Sequence, residues 1–498
     1  MSQPVLVALD QGTTSSRAVV FDLEGHILAV ANEEFPQFFP QPGWVEHDPQ
    51  QILSTQVNSL KRAVRRSGVH PESILAIGIT NQRETTLLWD RETGECPYNA
   101  IVWQCRRTAP DVEKLVENGW RDVILRKTGL VPDAYFSGTK LAWLLREKNL
   151  REDAAAGKLC FGTVDSFLVW NLCSGHPHVT DATNAGRTML FNLETQDWDD
   201  ELLHVLDIPR ECLPKVVDSA GIVGALDPEI LGVPVPVAAM AGDQHASLFG
   251  QACFERGMVK NTYGTGCFML MNAGGVVPRV NSGILSTMAW RLQGQRTCAL
   301  EGSVFMGGAT IQWLRDQLQI IKTASETEAI ARSVSDTGGV YLVPAFTGLG
   351  APWWDMYSRG TLVGMTRGTG RPQIIRAALE SIAYQSADLL DAMSEDAGFR
   401  PESLRVDGGA SANAFLMQFQ ADIMGIPVIR PQVLETTALG AALLAGVGVG
   451  AYSSIEETAA VWRRDLTFEP KMPKQRRDDL LGGWHRAVER SLGWVRER

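Results

Sequence analysis

Apolar and polar positions fall in blocks along the chain, and the first blocks are the most telling. An apolar run, Val5–Leu9, meets Asp10 and the polar stretch Gln11-Gly12-Thr13-Thr14-Ser15-Ser16-Arg17, and a second apolar run spans Ala18–Phe21. Two short apolar runs about a glycine-containing polar turn predict a β-hairpin. Residues 257–271, Gly-Met-Val-Lys-Asn-Thr-Tyr-Gly-Thr-Gly-Cys-Phe-Met-Leu-Met, repeat the pattern. Further strand-like runs lie at 74–79 and 99–103, then at 340–343 and 403–407. Helical patterns fall between them. Pro372–Ala397 places Ile375, Leu379, Ile382 and Leu389 on an apolar face, with Pro at its start and Gly398 beyond its end. Ala414–Met424 is closed by Gly425 and followed by Pro427. The charged end, from about Lys471 to Arg498, predicts a solvated helix rather than a binding tail. Strands alternating with helices define an α/β protein. The recurrence of the hairpin half a chain later predicts two similar lobes, 1–250 and 251–498.

Composition narrows this only modestly. The 498 residues suffice for two or three domains with full cores, and 45% hydrophobic with 21% charged residues is an ordinary globular balance. A net charge of −11 argues against a general nucleic-acid surface. It leaves room for a small anionic ligand, which local loops would grip. Eight cysteines lie scattered without a CxxC pair, so reduced thiols are expected. Met-Ser-Gln-Pro lacks a basic region leading into an apolar core, and Ala438–Tyr452 is too short and glycine-rich to span a bilayer. The expectation is a cytoplasmic protein without membrane insertion.

The chemistry-bearing residues cluster at predicted strand ends. In the first hairpin, exposed amides and the hydroxyls of Thr13, Thr14 and Ser15 suit phosphate oxygens, and Asp10 suits a hydrated Mg²⁺. An ordinary polar hairpin is the alternative. Neither turn has the GxGxxG spacing that opens a helix, and no Walker-type loop is present. Asn81-Gln82-Arg83-Glu84-Thr85 follows a strand, where α/β folds commonly bind ligands. Arg83 beside Glu84 offers donors and an acceptor to neighbouring hydroxyls; otherwise it is a surface ion pair. Trp103 could lay an aromatic face on a carbon backbone or fill core. Tyr135 could offer a hydroxyl or simply pack. Asp243 leaves a buried strand in Gly242-Asp243-Gln244-His245, which makes it the candidate acceptor of an alcohol proton. His245 reads as structural, and His176-Pro177-His178 lacks metal-ligand spacing. In Asp407-Gly408-Gly409-Ala410, glycines let backbone approach a flat ligand, while Asn413 either caps the next helix or touches that ligand.

Together these residues resemble the FGGY carbohydrate kinases, within the actin, hexokinase and heat-shock ATPase superfamily. Tyr135-x-Ser137-x-x-Lys140-Leu141-x-Trp143-Leu144-x-Arg146-Glu147 fits the first family signature, and Gly360 through Gly364-Met365 to Ala378-Leu379-Glu380 fits the second. Asn81–Thr85, Trp103–Arg107, Tyr135–Lys140, Gly242–Gln244 and Asn261–Phe268 resemble the glycerol branch. The resemblance implies two actin-like (ribonuclease H-like) lobes with a nucleotide and substrate cleft between them. It implies a polyol site of Arg83, Glu84, Trp103, Tyr135, Asp243, Gln244 and Phe268, with Asp243 as general base. Thr13, Thr14, Ser15, Arg17 and Thr265 would meet the phosphates. Gly308, Gln312, Gly409 and Asn413 would line the nucleotide pocket, and Asp10 would hold Mg²⁺ through water.

The implied reaction is transfer from ATP to glycerol, giving ADP and sn-glycerol 3-phosphate, in a homo-oligomer (dimer or tetramer). The alternatives are a kinase for another polyol or ketose, which should differ around Arg83-Glu84 and Trp103, and a non-catalytic actin-like ATP-binding regulator. Some family members carry control elements that differ here. There is no Gly-Gly-Thr-Arg run around Asp227–Val235 for fructose bisphosphate and no His within Val217–Gly224 for phosphorylation. Glu469–Asp478 departs from the pattern that binds a sugar-transport regulatory protein.

Overall fold

The first apolar run becomes the centre of a sheet because it is buried on both faces. In the computed structural model, which describes residues 3–495, strand Val5–Gln11 pairs antiparallel with Ser15–Asp22 and parallel with Ile74–Asn81. The full six-stranded order is Ala220–Ala225, Pro236–Gly242, Ile74–Asn81, Val5–Gln11, Ser15–Asp22, Ile27–Glu34. Register carries the functional consequence. Asp10 lies opposite Thr80, while Gln11 and Gly242 both lie opposite Asn81. The carboxyl ends of three parallel strands therefore meet at one edge, the usual ligand edge of an open α/β sheet.

A seven-stranded sheet repeats this plan in the order Leu285–Leu292, Gln295–Val304, Cys267–Gly274, Val259–Tyr263, Leu404–Asp407, Val428–Pro431, Arg464–Phe468. Its hairpin Val259–Tyr263/Cys267–Gly274 also continues into a parallel neighbour, Leu404–Asp407. The duplicated sequence pattern is thus a duplicated topology. Two strand-like runs stand outside both sheets. Only Ala100–Ile101 of 99–103 is strand, paired with Glu46–His47, and Tyr341–Val343 pairs only with Thr361–Val363.

Helix Thr436–Gly448 follows the second sheet in sequence but packs on strands of the first and against helix Asp243–Gly250. Glycine permits the contact: a Cβ on Gly440 would sit 1.8 Å from the Ala246 carbonyl, and one on Gly250 would sit 2.1 Å from that of Thr436. The most apolar stretch of the chain is therefore the seam between the two sheets. Among the described residues no helix is long and apolar enough to cross a membrane. All eight cysteines are free.

The long helix spans Arg371–Ala397, one residue earlier than the pattern predicts, and ends on Gly398 at φ 76°. Ala414–Met424 has the predicted bounds. The charged end needs correction. Its helix, Lys474–Ser491, is not solvated all round: Trp484, Ala487 and Val488 share a buried face, and Trp484 Nε1 donates to Asp388 at 2.7 Å. Three apolar side chains at i, i+3 and i+4 dock one stripe despite the surrounding charge. Residues 496–498 of that reading, and Met1 and Ser2, lie outside the described residues.

Candidate active site

Arg83 and Glu84 sit in the turn after Ile74–Asn81, and the surface ion-pair reading fails because both are buried. The Arg83 guanidinium forks onto Glu301 at 2.8 and 2.7 Å, and its Nε lies 3.2 Å from Asp243 Oδ1. Arg187 donates to Glu84 at 2.6 Å and to Glu301 at 3.0 Å. Burial alone would raise the Glu301 carboxyl, but Arg187 and Arg83 hold it well below the usual carboxylate range. Glu84 adopts φ 59°, uncommon for a non-glycine residue. Its carbonyl is tied down by Ser137 Oγ at 3.0 Å and Lys140 Nζ at 3.4 Å. Lys140 also donates to the Tyr135 carbonyl, so one buried ammonium, pushed down to about 7 by desolvation, joins two parts of the site.

Tyr135 is buried, packs edge-on to Trp103 at 5.7 Å and lies beneath the Arg187 guanidinium at 5.6 Å. Trp103 is half-buried and donates from Nε1 to Thr13 Oγ1 at 2.9 Å, which links the aromatic pair to the first hairpin. Asp243 opens helix Asp243–Gly250 with its side chain 31% exposed. Arg83 Nε and the Gln244 amide, the latter at 2.7 Å, both approach Oδ1. Gln244 accepts from Lys260 at 2.6 Å, and Lys260 reaches the carbonyl of half-buried Phe268 at 3.3 Å. Burial lowers Lys260 to about 8. His245 is buried and held neutral by desolvation and the nearby arginines, with no partner for either ring nitrogen among the described residues. His176 and His178 bond the backbone carbonyls of Trp170 and Phe161.

The two hairpin turns are more open. Gly12 N donates to Ser15 O at 2.9 Å, closing a turn in which Thr13 and Ser15 are half-buried and Thr14 is exposed. Arg17 pairs with Glu435, which immediately precedes helix Thr436–Gly448. Asp10 is raised to about 7 by burial, against the pull of Arg17 and with the push of Glu435 and Asp243. In the second hairpin Thr265 is exposed, and its carbonyl accepts from Gly307 N at 2.9 Å. Gly308 N donates to Gly264 O at 2.8 Å, so helix Gly308–Asp316, with exposed Gln312, starts on this turn. A Cβ on Gly409 would meet nothing within 4 Å, leaving that turn open to a ligand. Asn413 caps its helix, accepting from Leu416 N at 3.0 Å and donating to Thr327 at 3.2 Å.

Every residue predicted for the polyol side thus belongs to one connected region, together with Glu301, Arg187, Lys140 and Lys260. The sequence reading assigned no role to these four. A signal existed for Glu301, a carboxylate inside the apolar strand run Cys298-Ala-Leu-Glu-Gly-Ser-Val304. Nothing local pairs it with Arg83 or singles out Arg187.

Two sheets with matching hairpins are joined through a buried charge network beside a partly exposed carboxylate, the frame of a two-lobed α/β protein. The model of the FGGY family of carbohydrate kinases matches with its N-terminal domain over residues 5–250 and its C-terminal domain over 259–449. The chain belongs to this family. It is 56% identical to glycerol kinase 2 of Thermotoga maritima over 98% of this chain and 99% of that one. It is 57% identical to glycerol kinase of Deinococcus radiodurans over 98% of both. The crystal structure of Plasmodium falciparum glycerol kinase with ADP superposes with a TM-score of 0.91 at 34% identity, covering 100% of this chain and 99% of that one.

Proposed function

We propose that this enzyme transfers the γ-phosphoryl group of ATP to glycerol, giving ADP and sn-glycerol 3-phosphate. The observation that carries the reading is the setting of Asp243. Its Oδ1 lies beside Arg83 and accepts from the Gln244 amide, and no hydrogen bond to Oδ2 is present among the described residues. Such a carboxylate has one oxygen fixed and one available to an alcohol proton. Asp243 takes that proton as the glycerol oxygen attacks the γ-phosphorus. The bond to the bridging oxygen breaks and ADP leaves with its electrons. Arg83, Glu84 and Gln244 hold the hydroxyls, and Trp103, Tyr135 and Phe268 cover the carbon backbone.

Thr13, Thr14, Ser15, Arg17 and Thr265 hold the phosphates, while Gly308, Gln312, Gly409 and Asn413 line the nucleotide side. Phosphoryl transfer needs this positioning and charge neutralisation more than covalent help. Asp10 fits a hydrated Mg²⁺: it is half-buried at the carboxyl end of Val5–Gln11, and a carboxylate whose pKa is pushed up to about 7 gains from a cation. Mg²⁺ bound there through water would neutralise phosphate charge. The names of the relatives support glycerol over other polyols. The division into lobes 1–250 and 251–498, a cytoplasmic setting and a homo-oligomeric state (dimer or tetramer) belong to the same proposal.

Coupled measurement of ADP release over glycerol, erythritol and xylulose tests it. Glycerol should give the highest kcat/KM. Faster turnover of xylulose would overturn the substrate, and polyol-independent ADP release would overturn the kinase.

A further inference from the structure

We propose that Glu301 is the positioning residue of the polyol site, reaching from the second sheet to set Arg83 directly and Glu84 through Arg187. This rests on the assignment of Arg83 and Glu84 to the polyol. Glu301 lies on strand Gln295–Val304, opposite Leu270 and Leu285 on the flanking strands, and is fully buried. A lone carboxylate there is costly, and it stays ionised because two arginines meet it. Both come from the first half of the chain: Arg83 from the turn after Ile74–Asn81, Arg187 from just beyond helix Ala182–Ala185.

The geometry fixes directions as well as charge. Both ends of the Arg83 fork are taken by the two Glu301 oxygens, at 2.8 and 2.7 Å. A bidentate arginine–carboxylate pair defines a plane. Arg83 is therefore fixed in orientation: its Nε is presented to Asp243 at 3.2 Å, and the second N–H of each Nη is left for a hydroxyl. Arg187 spends Nη1 on Glu301 at 3.0 Å and Nε on Glu84 at 2.6 Å, so the same carboxylate sets the second hydroxyl-binding group. Two cations and two anions balance, and all four side chains are 2% exposed or less. Neutral His245, Tyr135 and Lys260 are further titratable groups in its field.

An ion-pair cluster that served folding alone would have no reason to touch both polyol ligands and the base. Its loss would lower stability without separating the two substrates. If Glu301 positions the site, its loss should reach glycerol selectively.

The test is Glu301→Gln in the full chain, with KM for glycerol and ATP, kcat, ADP binding and Tm measured together. Loss of a buried charged hydrogen-bond acceptor should raise the glycerol KM about ten- to hundredfold and lower kcat, with the ATP KM and ADP affinity within about twofold. Glu301→Gln/Arg187→Gln restores charge balance in the cluster. Its Tm should recover while the glycerol KM stays high, and it serves as the readout if the single variant does not fold. Recovery of the glycerol KM along with Tm, or equal shifts in both KM values, would overturn the proposal. The parent enzyme is assayed first across the polyol panel. If it prefers another polyol, the functional reading fails and the same KM split is read with that polyol.

Discussion

The polyol side and the phosphate side proposed above are built on opposite principles. On the polyol side, Arg83, Glu84, Arg187 and Glu301 are buried and interlocked. On the phosphate side, Thr14, Thr265, Gln312 and Gly409 are exposed, and the Arg17 guanidinium pairs among the described residues with half-exposed Glu435. The difference follows from what each side recognises. A small neutral polyol offers only hydroxyls, so selectivity depends on fixed donors and acceptors that a wrong ligand would leave unpaired. A nucleotide brings its own charge, and open turn amides with one exchangeable arginine suffice to receive it.

The hardest blow to the polyol side should be Asp243→Asn, which keeps the shape but not the basicity. A loss in kcat of about 10²–10⁴-fold is expected with glycerol binding retained, measured by steady-state kinetics and calorimetry. A kcat within a few-fold of the parent would remove Asp243 from the role of base.

Arg83→Ala sharpens the comparison next. It leaves Glu301 short of its bidentate partner, and an unpaired buried group of this kind typically costs about 1–3 kcal/mol. The glycerol KM should rise roughly 5- to 150-fold on that scale, well beyond any change for ATP. Equal effects on both substrates would mean that the two sides are not separate devices.

Arg17→Ala should do the reverse and by less. A partly exposed charge pair is worth up to about 1 kcal/mol, so the ATP KM should rise by about fivefold with the glycerol KM unchanged. A larger effect on glycerol would break the division of labour.

The last test concerns Asp10 and is read on stability rather than on turnover. Its pKa of about 7 in the fold lies above the ordinary 3.8, so the folded state binds the extra proton between those values. The associated stability is present below the ordinary value and is lost as pH rises toward 7. Asp10→Asn should therefore raise Tm at pH 8 and leave it nearly unchanged at pH 4, while weakening Mg²⁺-dependent nucleotide binding. A Tm gain larger at pH 4 than at pH 8 would contradict the buried-carboxylate account.

Much of this organisation is local and therefore legible in the chain. Hairpin turns at Gly12 and Gly264, the glycine stops at Gly398 and Gly425 and the capping Asn413 depend on neighbours within a few residues. Apolar periodicity reports them directly. The candidate ligands Arg83, Asp243 and Tyr135 were visible because polar residues at strand ends and helix starts stand out against apolar runs. The docked face of Lys474–Ser491 was missed because one apolar stripe is diluted by many charges. That the Arg83–Glu84 pair is buried depended on its surroundings, which only packing supplies.

What the sequence by itself determined is the set of elements, the duplicated hairpin and the residue types available for catalysis, since these rest on short-range backbone preference and on period. What only the tertiary structure decided is which of those residues share a charge. Glu301 meets Arg83 across 218 positions, and Thr436–Gly448 crosses back to the first sheet through the Gly440–Ala246 contact. Neither partner carries a local mark of the other, because the free energy of an ion pair or a helix crossing depends on the surroundings that close around it.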